Sequence, residues 1–349
     1  MCIRDSLPLR GHSNVQGIGS MGVTPQLKQA VLDNLQSKFP VILPTKPGLD
    51  TLACVESANK KEIDFAFNLG GNLYGSNPDS QFTQMSLGKI GFSLFLNTTL
   101  NQGHFLGRGQ NSLILPVLAR DEEPEPTTQE SMFSFIRLSD GGFKRYSGPR
   151  SEVKIIAEIA QRVIGSNELP WESLSYTGNI REIISRIIPG FEQLKNIDQT
   201  GKEFHIDKRI LHTPRFSLPD GKASFKVCPI PAVRGNKRNC FTLMTIRSEG
   251  QFNTVVYEPD DRYRKVTTRN VVLMNKKDIK MIGLNQGDIV RVKNNTGIMT
   301  GQKLQAFPIK SGNIMMYYPE SNILVPRQFD PQSKTPSFKS IEVFLEKQS

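Results

Sequence analysis

The sequence is poor in cysteine and tryptophan and contains no long apolar run. Its four cysteines among 349 residues form no C-x-x-C pair and have no histidine at metal-ligand spacing, so no metal ligand or iron–sulfur site is predicted within this chain. No stretch approaches the ~18 consecutive apolar residues of a membrane helix. MCIRDSLPLR, at the start, lacks the apolar core of a secretory signal. These absences predict a globular protein with reduced thiols, a cytoplasmic location and no membrane span.

The positive charge is concentrated towards the C-terminus. The formal net charge is +11, and residues 236–349 contain 18 Lys and Arg against 10 Asp and Glu. This bias indicates an anionic partner for the C-terminal part, either nucleic acid or a phosphate-rich cofactor. A solubilising surface is the alternative.

The first part of the chain alternates helical patterns with short apolar runs. Helices are predicted over 27–39, 49–61, 151–165 and 179–195, and strands over 63–71, 91–99 and 111–117. Residues 119–130 are predicted as a polar loop. Such alternation is typical of a parallel sheet covered on both faces. Ligands bind at the carboxyl ends of such strands, where the sequence places Gly70, Gly71, Asn72, Asn97, Thr98 and Thr99.

The last part of the chain changes to short strands separated by turns, with a domain boundary between about 215 and 238. This spacing is typical of a small barrel. The predicted strands are 241–247, 271–274, 288–294, 303–307, 313–318 and 341–345, with one helix over 276–284.

An ordered series of segments from Leu9 to the end resembles molybdopterin-dependent oxidoreductases of the formate dehydrogenase class. RGHSNVQGIGSMG (10–22), FNLGGNLYGSNPD (67–79) and FLNTTLNQ (95–102) resemble cofactor contacts of the α/β core. LARDEEPEPTTQESMFSFIRLSDGG (118–142) resembles a loop of the YdeP-like branch. TIRSEGQFNTVVYEPDDRYR (245–264) and SNILVPRQFDPQSKTPSFK (321–339) are similar to the C-terminal molybdopterin dinucleotide-binding barrel.

The resemblance implies an α/β fold and a domain order. Residues 9–170 would form the second half of a doubly wound, mostly parallel molybdopterin-binding domain, 171–237 a helical and irregular connection, and 238–349 a double-psi-like β-barrel. It also implies that the chain is the C-terminal half of a longer protein and that residues 1–8 are a cloning or assembly remnant. A truncated paralogue is the alternative.

The implied cofactor is molybdenum bis(molybdopterin guanine dinucleotide), held between the two domains, with a 4Fe-4S cluster only in the preceding half. Glycine-rich turns offer backbone N–H groups to its pyrophosphates, and Asp79 can accept hydrogen bonds from a guanine edge. Arg247 would contact pterin or phosphate oxygens. The implied cofactor-binding residues are Asn14, Gln16, Gly17, Gly70, Gly71, Asn72, Ser76, Asp79, Asn97, Thr98, Thr245, Arg247, Ser248, Gln251, Phe252, Asn253, Asn322, Phe338 and Lys339.

The resemblance assigns catalysis to Arg10 and His12. An arginine at this place in the family faces the substrate beside molybdenum, where it binds a carboxylate and stabilises developing charge. His12 replaces the family's glutamine and is a candidate proton acceptor. This departure leaves the substrate open. The family's cysteine or selenocysteine ligand to molybdenum belongs to the preceding half.

Three functions are compatible with these patterns. The first is a fragment of a molybdenum oxidoreductase that acts on formate or another small molecule, passes electrons to a redox partner subunit and is inactive without its other half. The second is a non-catalytic paralogue that binds the cofactor. The third, a basic barrel that binds nucleic acid, would need exposed aromatic platforms, whereas most barrel tyrosines lie in strand-like runs. Nucleic acid is therefore not expected as a partner.

Overall fold

A computed structural model describes residues 14–165, 168–207, 216, 218–225, 227, 229–230, 239–331 and 334–348. Contacts divide the chain into two compact units. The described residues of Met1–Leu49 and Pro116–Ile230 form unit 1, and those of Asp50–Leu115 and Pro231–Ser349 form unit 2. In this grouping residues 50–115 belong to the same unit as the barrel, and the predicted domain order stays a prediction. Part of the predicted boundary region, 215–238, lies outside the described residues.

The helices and strands alternate in the first part of the chain, and strands dominate the last part. The helices are α1 Val15–Ser20, α2 Gln29–Lys38, α3 Thr51–Asn59, α4 Leu73–Ser76, α5 Ser80–Leu87, α6 Gly103–Leu106, α7 Glu152–Val163, α8 Thr177–Ile187, α9 Ile197–Thr200 and α10 Lys276–Met281. The strands are β1 Phe65–Leu69, β2 Phe92–Asn97, β3 Asn111–Pro116, β4 Thr127–Glu130, β5 Phe135–Ser139, β6 Phe204–His205, β7 Cys240–Ile246, β8 Val271–Met274, β9 Ile289–Lys293, β10 Ile298–Ala306, β11 Asn313–Tyr317 and β12 Ile341–Lys347.

Three of the predicted strands form one sheet in the order β1–β2–β3. β1 and β2 are parallel, with Phe65 opposite Phe92 and Leu69 opposite Leu96, so their carboxyl ends lie side by side. One face is covered, because Ala66 packs against a cluster that includes Ala58 of α3. The expected cover on both faces is wrong for β1 in the described part of the chain, where Phe65 and Leu69 are 54% and 51% exposed.

The last six strands close into a barrel in the order β10–β8–β11–β7–β12–β9. Two strand pairs are parallel, β7 with β11 and β8 with β10, and the remaining recorded pairs are antiparallel. Alternate apolar side chains such as Leu243, Leu304 and Ile314 are fully buried in the barrel core. The predicted barrel is confirmed. β10 begins earlier than predicted, at Ile298, and an irregularity between Met299 and Gln302 shifts its register against β9.

Residues 119–130 contain regular structure that the sequence did not predict. A short 3-10 helix covers Arg120–Glu122, and β4 follows in an antiparallel sheet ordered β4–β5–β6. The sequence of β4, TTQE, has no apolar alternation, and its pattern therefore predicts a loop. The helix predicted over 179–195 ends at Ile187, because Pro189 and Gly190 follow, and a 3-10 helix then covers Glu192–Asn196.

No described helix combines the length and apolar character needed to cross a bilayer. The amphipathic helix α7, with 12 residues, is the longest among the described ranges.

Replacing Leu243 by alanine should destabilise the barrel, while the neighbouring change Met244→Ala should not. Leu243 is fully buried, whereas Met244 is 39% exposed on the other face of β7. Loss of a buried leucine side chain costs about 2–5 kcal/mol, and the exposed change about 0.5 kcal/mol or less. Hydrogen exchange of the barrel amides measures both effects. Equal losses in the two variants would contradict the assigned orientation of β7.

Candidate functional site

Two glycines turn the chain immediately after β1. Gly70 and Gly71 have φ angles of 64° and 73°, a region that favours glycine. The Gly70 N–H donates to the Leu96 carbonyl at 2.8 Å, and the Gly71 carbonyl accepts from Asn101 Nδ2 at 2.9 Å. No atom lies within 4 Å of where a Cβ on either glycine would stand. The Gly71 N–H has no acceptor among the described residues, so it is the donor this turn offers to a ligand, whereas the Gly70 N–H belongs to the sheet.

Asn72 joins this turn to the barrel. Its side chain is buried, and its Oδ1 accepts from the Gly75 N–H at 2.8 Å while its Nδ2 donates to the Thr254 carbonyl at 3.0 Å. The Gly75 N–H is therefore engaged within the protein. Nearby, the Ser76 hydroxyl donates to the Leu73 carbonyl at 3.2 Å. Asn72 thus fixes the strand end against the loop that follows β7.

Asn322 makes a second link between the same two parts of unit 2. Its Nδ2 donates to the carbonyls of Gly75 and Asn77 at 2.8 and 3.0 Å, and the residue is fully buried. Its Oδ1 is buried without a hydrogen-bond partner in the described part of the chain. Buried acceptors in folded proteins are nearly always hydrogen-bonded, so a donor from a ligand would be favourable here.

Asp79 is held by two protein partners. It stands in the left-handed region at φ 47° and begins α5, where its Oδ1 accepts from the Phe82 N–H at 3.1 Å. Its Oδ2 accepts from Arg327 Nε, also at 3.1 Å, and the Arg327 guanidinium lies 3.8 Å from the centroid of the Phe82 ring. The sequence analysis assigned the Asp79 carboxylate to guanine. In the structure both of its oxygens accept hydrogen bonds from protein donors instead.

Asn97 ends β2 and contacts a buried histidine. The Asn97 amide lies 2.7 Å from His104 Nε2, and the Asn101 N–H donates to His104 Nδ1 at 3.1 Å. With Nδ1 accepting, the neutral ring carries its proton on Nε2, so Asn97 must present its oxygen to it. Burial lowers the pKa of His104. Thr98, the next residue, is exposed.

The loop after β7 is ordered by its own side chains. The Ser248 N–H donates to Gln251 Oε1 at 3.0 Å, and Gln251 Nε2 donates to the carbonyls of Asn253 and Tyr318, both at 2.7 Å. Asn253 takes a positive φ of 52°. Phe252 is 58% exposed between these anchored residues.

Two cations flank this loop without a carboxylate partner among the described residues. The exposed Arg247 approaches Asn253 Oδ1 at 3.5 Å, and Lys339 Nζ donates to the Thr245 carbonyl. Burial, and then the charge of Arg247, lower the pKa of Lys339. The Thr245 hydroxyl also donates to the Phe338 carbonyl at 2.9 Å, which fixes the chain beside Lys339. Neighbouring cations without a counter-charge are suited to an anionic ligand.

A buried arginine that no sequence pattern indicated supports the loop from beneath. Arg269 pairs with both carboxylate oxygens of Glu320 at 2.6 and 2.9 Å and donates to the Ser248 hydroxyl at 2.9 Å. Its guanidinium lies 4.2 and 4.9 Å from the ring centroids of Tyr257 and Tyr317. It is a positioning residue for Ser248.

The remaining candidates belong to unit 1 or lie outside the described residues. Asn14, Gln16 and Gly17 are in unit 1 at α1, where Asn14 Oδ1 accepts from the Glu130 N–H at 3.0 Å. Arg10 and His12 lie outside the described residues. Among the described residues no three His, Cys, Asp or Glu side chains gather as a group that could hold a metal ion. Unit 2 therefore brings together the candidates from the ends of β1, β2 and β7 and from residues 322–339, and their roles stay predictions.

The glycine turn follows a strand of a parallel pair, and the same unit contains a barrel with two parallel strand pairs. This arrangement is typical of proteins that bind ligands at the carboxyl ends of their strands. Residues 241–342 match the family model described as Molydopterin dinucleotide binding domain. The barrel is therefore similar to this domain family, which supports a molybdopterin cofactor. The sequence prediction of such a domain is confirmed.

The rest of the chain is homologous to known proteins as well. It is 32% identical to an uncharacterized oxidoreductase of Mycobacterium tuberculosis (97% of this chain, 46% of the relative) and 30% identical to Protein YdeP of Escherichia coli (97% and 47%). It is 23% identical to a formate dehydrogenase subunit alpha of Methanocaldococcus jannaschii (97% and 52%). The chain spans about half the length of these relatives. The predicted resemblance to formate dehydrogenase and YdeP-like proteins is confirmed.

A solved structure agrees with this fold. Acetylene hydratase from Pelobacter acetylenicus matches 95% of this chain and 50% of its own, with a TM-score of 0.64 and 14% identity. At this identity the match supports the fold alone.

Acid should weaken the folded protein through His104. Burial lowers its pKa from 6.5. As the pH falls, His104 is therefore protonated in the unfolded chain at a higher pH than in the folded protein. This contribution to the free energy of unfolding is complete above about pH 6.5 and is lost as the pH falls through the folded-state pKa. Urea unfolding between about pH 5 and 8 should show a smaller acid loss in His104→Gln. An identical acid loss in the variant would contradict this role.

Proposed function

We propose that this chain is the cofactor-binding C-terminal part of a molybdenum oxidoreductase that holds bis(molybdopterin guanine dinucleotide) and acts on formate or another small molecule. An iron–sulfur cluster in the remainder of the protein and a redox partner would carry the electrons, and the location would be cytoplasmic. The named function of the formate dehydrogenase relative and the presence of a molybdopterin dinucleotide-binding domain support this proposal. The chain alone would not oxidise formate.

One observation carries the proposal: Arg247 and Lys339 stand close together without a carboxylate partner in the described residues, in the same unit as the Gly70–Gly71 turn. The pyrophosphate of a dinucleotide would supply the negative charge that these two cations lack. The free Gly71 N–H and the open space beside it suit the close approach of such a group. The buried, partnerless Asn322 Oδ1 likewise calls for a ligand donor. The residues present fit the cofactor.

In this proposal the protein orients the cofactor and balances its charge. Arg247 and Lys339 would hold phosphate or pterin oxygens, while Asn72 and Asn322 keep the strand end and barrel in place. The metal–pterin group, when bound, supplies the redox chemistry. A non-catalytic cofactor-binding paralogue would share every one of these residues and differs only in turnover.

Replacing Arg247 by alanine should lower the molybdenum content of the full-length enzyme. The change removes one of two cations that would face the cofactor, so fewer molecules retain it, while the activity per bound molybdenum stays near that of the unchanged enzyme. Metal analysis combined with a formate oxidation assay measures both quantities. Arg291→Ala, an exposed change on β9 of the same barrel, is the control. Unchanged molybdenum content in Arg247→Ala would remove Arg247 from the site.

Replacing Arg10 by lysine should instead impair turnover and leave molybdenum content intact. Lysine keeps the charge but loses the planar fork that binds a carboxylate through two hydrogen bonds. We expect kcat/KM to fall roughly 30- to 1000-fold. Normal turnover would exclude a substrate contact and, with it, the case for a carboxylate substrate. If Arg10→Lys loses as much molybdenum as Arg247→Ala, Arg10 has a structural role and not a substrate contact.

A further inference from the structure

An apolar hollow with lysines on its rim lies on the barrel, where α10 meets the end of β10. Its volume is about 480 Å³. The lining consists of Asn275, Lys276, Lys277, Lys280, Ala306, Phe307 and Pro308. The three lysines are exposed. Exposed apolar surface rimmed by polar groups is typical of interaction sites, and this rim suits a ligand that combines apolar and negatively charged groups.

The hollow lies at the opposite end of the barrel from the loop that follows β7. β8 ends at Met274, which pairs with Ile314 near the start of β11 in an antiparallel register. Because β11 runs parallel to β7, the end of the barrel where β8 stops is also the end where β7 starts. Arg247 and its loop are therefore at the other end. A partner in the hollow would not compete with the cofactor that we propose there.

The rim of the hollow is positively charged because the acidic residue of α10 points inwards. Asp278 is 2% exposed, and its oxygens accept from the Ser311 hydroxyl and from the Gly312 N–H. The barrel lysines that pair with a carboxylate, Lys293 and Lys347, stand on β9 and β12. In the described part of the chain no ion pair joins a lysine of α10 to a carboxylate. The rim therefore lacks a counter-charge.

Two of these lysines repel each other, and the loop beside them is fixed. Lys276 and Lys280 stand about one turn apart on the same face of α10. Like charges at this spacing destabilise a helix, so a bound anion would relieve the repulsion. Asn275 Oδ1 accepts from the Lys277 N–H at 2.8 Å, and its Nδ2 donates to the Ile309 carbonyl at 2.5 Å. Asn275 thus holds α10 against the loop after β10, and the hollow is preformed.

We propose that this hollow docks an acidic segment of a separate protein. An aliphatic side chain of the segment lies on Phe307, and its carboxylates pair with Lys276 and Lys280. The carboxylates supply the charge that the rim lacks, and the apolar floor takes up the side chain between them. A nucleic acid fits less well, because such sites combine cations with successive stacking rings. Among the described residues that line the hollow, Phe307 is the only aromatic one.

Fluorescence anisotropy with the purified 349-residue chain tests the docking site. The probe is a labelled synthetic peptide in which aspartates and glutamates flank a central leucine. We expect saturable binding that weakens as the ionic strength rises, and weaker binding when serine replaces the leucine. Lys276→Gln combined with Lys280→Gln should weaken binding about 3- to 10-fold.

Lys265→Gln combined with Lys303→Gln is the matched control. It removes the same charge from exposed positions near the other end of β8 and should leave the affinity unchanged. All four lysines are exposed, so both double variants should keep the circular dichroism of the unchanged chain.

Each of the following results would overturn the docking site. No peptide binding, or equal losses in the two double variants, would show that the hollow does not attract the peptide. Equal affinity for the leucine and serine peptides would remove the apolar contact. Tighter binding of oligothymidylate, lost in the same variant, would make the partner a nucleic acid. Peptide binding by the chain but not by the full-length protein would show that the rest of the protein covers the hollow.

Discussion

The ion pair between Arg269 and Glu320 is the interaction on which the barrel side of the site depends. The Arg269 side chain is 8% exposed, and such a charge is costly to bury unless it is paired and hydrogen-bonded. Glu320 supplies the pair, Ser248 accepts a further bond, and two tyrosine rings flank the guanidinium. Because this arginine is satisfied internally, its charge is balanced, whereas Arg247 and Lys339 have no carboxylate partner among the described residues.

Neutral amides, rather than ion pairs, join the strand end to the barrel. Asn72 and Asn322 each bridge the two parts of unit 2 with hydrogen bonds of 2.8–3.0 Å. Buried amides hold the strand end in place without adding charge. The electrostatic potential at the site is therefore set by the cations of the loop after β7, Arg247 and Lys339. This separation suits the anionic ligand that we propose, because the links that hold the strand end leave the cations of the loop without a counter-charge.

Local patterns predicted the strands and turn, but the partners of the site residues could not be read from the sequence. β1 and β2 are continuous apolar runs, so their ends, and with them Gly70 and Gly71, followed directly. Asn72 bonds to a carbonyl 182 positions away and Asp79 to an arginine 248 positions away, and no periodicity encodes such pairs. No pattern in TTQE predicts β4, because this segment forms a strand through its pairing with β5.

The contact grouping explains why the candidate residues from distant segments meet. Residues 50–115 supply a parallel sheet whose helices cover one face, and the barrel supplies the loops that meet the strand ends in the same unit. The ligand that we propose there would contact backbone N–H from the turn and cations from the barrel loop. Since no single segment provides both, binding depends on the packing within unit 2. A change in the links at Asn72 or Asn322 would therefore disturb every contact together, including the one that we propose for Asn322 Oδ1.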